Sequence, residues 1–226
     1  MVESRLTRVL LRLGAGLTLA FIYVPLFLIG LYAFNRNVTQ EWPIRNYSTR
    51  WFSVAYRNEA VRDALQLSLF AALGATVVAL VLGTLAAMAV SRYSFFGREV
   101  ISFAVILPIA LPGIITGLAL QATILDVLGP LGLSFGLTTI IIGHATFCVV
   151  VVYNNVIARM RRTAGSLDEA SADLGADSWQ TFCYVMFPQL RSALLAGALL
   201  AFALSFDEVI VTVFTAGAQQ TLPIWI

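Results

Sequence analysis

Residues Ser166 to Pro188 read SLDEASADLGADSWQTFCYVMFP, a polar segment with helical punctuation set between two strongly apolar stretches. Ser166 with Glu169 three residues on has the pattern of a capping box, in which the serine hydroxyl accepts from the Glu169 amide and the glutamate reaches back to the cap. A helix is expected to start there. Leu167, Ala170 and Leu174 fall at i, i+3 and i+7 and make a narrow apolar stripe, while Asp168, Glu169, Ser171 and Asp173 face elsewhere. Gly175 supplies the left-handed residue that ends a helix. Asp177 with Gln180 predicts a second cap. Trp179, Phe182, Cys183 and Met186 then repeat at helical spacing until Pro188, which is expected to stop the helix. The segment reads as a short helix, a glycine bend and a second short helix, suited to meeting a soluble partner.

The composition around it fixes the class. With 59% hydrophobic and 12% charged residues in 226 and a mean hydropathy of +0.87, the chain is too apolar for an ordinary soluble domain. The expectation is an all-α, polytopic transmembrane bundle. The net charge of +2 is too small to point to nucleic acid, and the basic residues are all arginine. Cys148 and Cys183 make no disulfide framework and read as thiols. The sequence has neither GxxxxGK[ST] nor any lysine, so it cannot bind ATP through a phosphate loop. It also lacks CxxC and HExxH, and a single histidine cannot form a histidine metal cluster.

A helix needs about 20 apolar residues to cross about 30 Å of hydrocarbon, and five runs qualify. The first, Leu13 to Phe34, follows Arg5, Arg8 and Arg12. It is too long for a signal-peptide core and lacks a small-residue cleavage site. Residues 35 to 62 form a mixed polar and aromatic loop, in which Trp51 to Tyr56 suggests an interfacial surface helix. The second span is about Asp63 to Val90. The third, about Val100 to Leu125, contains Pro108, Pro112 and Gly113, which must interrupt the hydrogen-bond ladder; such breaks persist in a membrane only beside protein or a water-filled cavity. This places the third span at the translocation path. The fourth is about Leu137 to Ile157, and the fifth about Arg191 to Phe214, with a small-residue seam at Ala193, Gly197, Ala201 and Ser205.

With the N-terminus in the cytoplasm, that side holds Arg5, Arg8, Arg12, Arg92, Arg98, Arg159, Arg161, Arg162 and Arg191, against Arg36, Arg45, Arg50, Arg57 and Arg62 outside. The excess favours this orientation. It puts residues 35–62 outside and the loop of about 158–190 in the cytoplasm.

The run Glu169-Ala170-Ser171-Ala172-Asp173-Leu174-Gly175, extended to Phe182 and Pro188, resembles the cytoplasmic coupling loop of the permease subunits of binding-protein-dependent ABC importers; Ser171 departs from the commoner alanine. The resemblance implies a type I importer permease fold over residues 1–226, with a sixth helix after Ile226. It also implies a bacterial inner (plasma) membrane location and a coupling site at Leu167, Glu169, Ala170, Ala172 and Gly175. The partners it implies are a second, different permease subunit, an ABC ATPase dimer that carries ATP and Mg, and a periplasmic or extracellular solute-binding protein. The chain itself would be a transport subunit and no enzyme. The blocks Leu200 to Thr212, Leu107 to Gly113 and Gly143 to Cys148 are similar to the spermidine/putrescine permeases, which implies a small cationic solute.

Asp207 and Glu208 fit that solute, because ionisable groups inside a span are costly and mark a pathway or a partner. The alternative is that they pair with arginines or cap helix ends. His144, among Gly, Ala, Thr and Phe, is best read as a hydrogen-bonded packing residue. Two other classes remain open: an ion-gradient-driven secondary transporter relaying through Asp207, Glu208 and His144, and an intramembrane enzyme built on His144 and Asp207.

Overall fold

The computed structural model describes residues 5–163 and 165–226. Among them regular structure is helical, apart from one antiparallel bridge between Asn35 and Tyr47. The chain divides into two compact units, one ending at Arg62 and the other running from Asp63 to Ile226.

The first unit contains α1 (Arg5–Tyr32) and α2 (Arg50–Arg57). Helix α1 starts about two turns before the expected span and buries none of its residues within the chain. The loop between the helices is organised by Asn35. Its Nδ2 donates to the Thr39 carbonyl at 2.9 Å, its Oδ1 accepts the Asn37 amide at 3.1 Å, and its carbonyl accepts the Trp51 indole N–H at 2.9 Å. Phe34 and Phe52 pack with ring centroids 5.3 Å apart. The expected surface helix is thus α2, and its tryptophan is tied into the loop.

The second unit is built around α6 (Leu137–Met160). Helix α3 (Glu59–Arg92), which enters this unit at Asp63, turns a small-residue face inward: Ala64, Ser68, Ala71, Ala75, Ala79, Gly83 and Ala87 are buried. A Cβ on Gly83 would lie 2.9 Å from the Val149 carbonyl oxygen and 3.0 Å from the Val152 Cβ, so the helices approach backbone to backbone. In lipid there is little hydrophobic drive between helices, and this close packing supplies the dispersion energy that replaces it. Helix α9 (Phe187–Phe206) does the same from another side. Gly197, Ala201 and Ser205 of the expected seam are buried and Ala193 is half-buried. The Cys148 thiol lies 3.4 Å from the Ala201 carbonyl.

Proline chemistry explains one expectation that is met, the break in the third span, and one that is not. The third span is two helices, α4 (Arg98–Ala110) and α5 (Gly113–Thr123, extended by a π-type turn at Ile124–Leu128), bent by 107°. Pro108 sits inside α4, and the break falls at Leu111–Pro112. Leu111 is extended (φ −87°, ψ 144°), the conformation a following proline enforces.

The expectation that Pro188 stops a helix, and that the fifth span covers Arg191 to Phe214, is corrected. Helix α8 (Ser178–Thr181), a π-type turn at Phe182–Met186 and α9 form one run, Ser178–Phe206. A proline in a helix interior lacks a donor and collides with the carbonyl four residues back. The wide turn absorbs both defects, with the Phe187 amide bonding the Phe182 carbonyl. The C-terminal part of the expected 158–190 loop is therefore already helix.

Beyond Phe206 the chain breaks and resumes as α10 (Ile210–Thr215), then α11 (Leu222–Trp225), whose first amide donates to Ser68 Oγ at 2.8 Å. Four described helices are long and apolar enough to cross a membrane, or five if the bent pair is one span.

Candidate functional site

The polar segment forms α7 (Ser166–Asp173), a glycine bend and α8. The helix begins at Ser166 as expected, but the capping box with Glu169 does not form. Gly165 is already helical (φ −62°, ψ −24°), and its carbonyl takes the Asp168 and Glu169 amides at 3.1 and 3.4 Å. Ser166 thus sits inside the first turn, without the extended backbone a cap needs.

The far end follows the expectation. Gly175 has φ +85°, its amide donates to the Ala172 carbonyl at 2.9 Å, and the Ala176 amide donates to Ser171 at 3.1 Å. This pair of bonds is a Schellman closure. The Asp177–Gln180 box is complete, with both bonds between 2.8 and 2.9 Å. The Ser171 and Thr181 hydroxyls, 2.9 Å apart, brace the two short helices. This closure leaves Leu167, Glu169, Ala170, Ala172 and Leu174 exposed, Leu174 by 90%.

Asp168 takes a contact that the sequence did not indicate. It meets Arg92, the last residue of α3, at 2.9 Å, with both side chains 22% exposed. The only sequence signal was a basic residue closing an apolar run. Arg92 Nε and Asp168 Oδ1 are buried without hydrogen-bond partners among the described residues, so the pair touches through one atom of each group. Asp168→Arg alone is expected to lower the thermal midpoint of the detergent-solubilised protein. The swap Arg92→Asp/Asp168→Arg is expected to recover most of a coupling energy of about 1 kcal/mol in a double-mutant cycle; a swap no better than the single variant would mean the contact carries no energy.

At the other end of the Ser178–Phe206 run, Asp207 and Glu208 do not lie on a continuous helix, as had been expected, but in the break before α10. Glu208 is half-buried and caps α10: its Oε1 accepts the Val211 amide at 2.9 Å, and its carbonyl accepts the Thr212 hydroxyl at 2.6 Å. Asp207 is exposed, and its carboxylate has no bond among the described residues. Neither acid pairs with an arginine there; the two described ion pairs are Arg62–Glu59 and Arg92–Asp168.

Buried His144 spans the break, with Nδ1 2.7 Å from Ser205 Oγ and Nε2 2.8 Å from Thr212 Oγ1. The proton positions follow by elimination. Thr212 spends its one hydroxyl proton on Glu208, so it accepts from Nε2–H, and with a neutral ring Nδ1 then accepts from Ser205. Both ring nitrogens are hydrogen-bonded, the packing role expected of it. It contacts hydroxyls on both sides of the two acids and neither carboxylate.

The broken third span meets the same place. A Cβ on Gly113 would lie 3.5 Å from Ile210, and one on Gly143 3.1 Å from Thr215 and Val211. Pro112 and Gly113 at the head of α5 therefore share α10 with the 207–209 break, whereas Pro108 lies one turn back in α4.

Comparison with known proteins gives a family, two relatives and a solved structure. Residues 79–226 match the family described as binding-protein-dependent transport system inner membrane component. The chain is 34% identical over 208 residues to the putrescine transport system permease protein PotI of Escherichia coli (strain K12), covering 90% of this chain and 73% of that one. It is 30% identical over 207 residues to the spermidine/putrescine transport system permease protein PotC of the same strain, covering 91% and 76%. The fold matches, at a TM-score of 0.72 and 19% identity, a chain in the crystal structure of a bacterial ABC transporter involved in the import of the acidic polysaccharide alginate, covering 100% of this chain and 80% of that one.

Proposed function

The chain belongs to the family of binding-protein-dependent transport system inner membrane components, and we propose that it forms, with a second and different permease subunit, the path by which a small cationic solute such as putrescine or spermidine enters the cell. It is a multi-pass membrane permease of an ABC importer. The substrate reading draws on the relatives' names and on the unpaired Asp207 beside the break. In this reading a solute-binding protein delivers to the side carrying residues 35–62, the N-terminus lies in the cytoplasm, and a separate ATPase dimer, holding ATP and Mg, docks on the exposed face of α7 at Leu167, Glu169, Ala170 and Ala172.

The observation that carries the mechanism is the continuity of the run from Ser178 to Phe206. Twenty-nine residues at 1.5 Å each make a rod of about 43 Å. Its near end is clamped to α7 through Gly175, Ala176 and the Ser171–Thr181 contact, and its far end is the 207–209 break. Closure of an ATPase dimer displaces α7. The rod transmits that displacement to α10, and α10 shares contacts with the Pro112–Gly113 elbow. The solute path opens where two interrupted helices meet, the only kind of place a membrane tolerates irregular backbone.

Co-purification tests this. With the ATPase and the partner permease co-expressed, the native chain retains the ATPase in detergent, and Glu169→Lys is expected to lose it together with ATP-dependent uptake. Retention of the ATPase by Glu169→Lys would remove α7 as the docking face. Uptake driven by an ion gradient in vesicles without any ATPase would overturn the importer reading itself.

A further inference from the structure

A cavity of about 490 Å³ lies at the end of α6 nearest the coupling segment, lined by Asn154, Asn155, Arg159 and Arg162 from α6 and the turn after it and by Ser192 from α9. From this cavity we infer a binding site for a phosphate group, that of an anionic phospholipid headgroup.

The charge is the first reason. Two guanidinium groups face the cavity, no carboxylate lines it, and neither arginine has an ion pair among the described residues. The geometry is the second. Arg159 is bent across to α9, where its Nε donates to the Gln189 carbonyl at 2.9 Å. That bond fixes the plane of the guanidinium and leaves the terminal nitrogens to make the forked pair that suits a phosphate. Asn155 is fixed likewise, with Nδ2 on the Val151 carbonyl at 2.9 Å.

Asn154 and Ala158 repeat at i+4 on one stripe of α6 and Asn155 and Arg159 on the next, with Arg162 following in the turn after the helix, so amides and guanidinium groups line one wall. Ser192 lines the same cavity from α9. Location is the third reason: Arg159 stands in the last turn of α6, a helix long and apolar enough to cross a membrane, and basic pockets between spanning helices are where acidic headgroups lodge. The inference rests on the membrane placement of α6 and is independent of which solute is carried.

The test is retention of phosphatidylglycerol against phosphatidylcholine by the full chain, purified in neutral detergent, titrated with mixed micelles and followed by native mass spectrometry. The native chain is expected to prefer phosphatidylglycerol by about twenty-five-fold, since each of the two arginines near the surface contributes roughly a factor of five. Arg159→Gln/Arg162→Gln should abolish the preference. Arg161→Gln, outside the cavity, should keep it. Ser192→Glu, which leaves both arginines and the Gln189 bond in place, should also abolish it, so the result does not hang on one variant's folding.

Competition by millimolar inorganic phosphate in the native chain alone would assign the same site to a soluble phosphate. A preference unchanged in both cavity variants would overturn the proposal. So would variants that alter the KM of solute uptake with no change in lipid retention, which would make the cavity part of the solute path.

Discussion

Replacing Gly175 with valine is expected to reduce ATP-driven uptake at least tenfold while leaving membrane insertion and the ATPase activity of the assembled complex in place. The cause is conformational. Gly175 holds φ +85°, and a Cβ built there meets nothing within 4 Å, so no clash opposes a larger residue. The penalty is the left-handed backbone itself, about 1–2 kcal/mol for an ordinary L-residue and more for a β-branched one. The bend between α7 and the Ser178–Phe206 rod would relax, the two Schellman bonds would go with it, and a push on α7 would no longer turn the rod.

Because space is not limiting, the order of effects is diagnostic. Asparagine, which visits the left-handed region readily, should retain most uptake, alanine less and valine least. A side chain needed for surface contact would give an order set by size, with asparagine worse than alanine. Normal uptake by the valine variant would remove the glycine bend from the coupling route.

How much of this could be read beforehand depended on how local the cause was. Gly175 and the Asp177–Gln180 cap each rest on a few residues of one turn, and the Ala193-to-Ser205 seam on a period of four within one helix; all three are where the sequence put them. The failures share a different origin. Ser166 has the right spacing for a cap, but the backbone of Gly165 one residue earlier takes that role, which a pattern of side chains does not reveal. Pro188 reads as a stop because a proline costs a normal helix its ladder; a π-type turn upstream removes the cost, and nothing in the sequence announces the wider turn.

The long-range contacts were out of reach. Arg92 and Asp168, or His144 with Ser205 and Thr212, are brought together only by helix packing. The seam on α3, from Ala64 to Ala87, was visible as composition but not as a face, because its alanines are so numerous that the period of four hardly stands out against the rest of the helix.

The His144 network is where such a long-range contact has the most to lose. His144→Phe, similar in size, is expected to destabilise the detergent-solubilised protein by about 1–3 kcal/mol, the sum of two interhelical hydrogen bonds in a membrane protein, and to slow uptake. The Ser205 hydroxyl has a fallback in its own helix, on the carbonyl four residues back, which limits the cost on that side. The Thr212 hydroxyl likewise keeps its own bond to the Glu208 carbonyl, whereas Thr212→Val leaves the buried His144 Nε2–H without an acceptor. Thr212→Val should therefore cost about as much as His144→Phe, and the double variant should cost much less than the sum, a coupling of about 1 kcal/mol or more.

The functional readout separates support of the break from simple packing. If the histidine holds the 207–209 break in register, both single variants lower the maximal uptake rate in proportion to one another, and His144→Gln, which can keep one bond to Thr212, restores part of it. Strict additivity of the two variants, or destabilisation with uptake untouched, would reduce His144 to a filler of the α6–α9 contact and detach the break from the route that begins at α7.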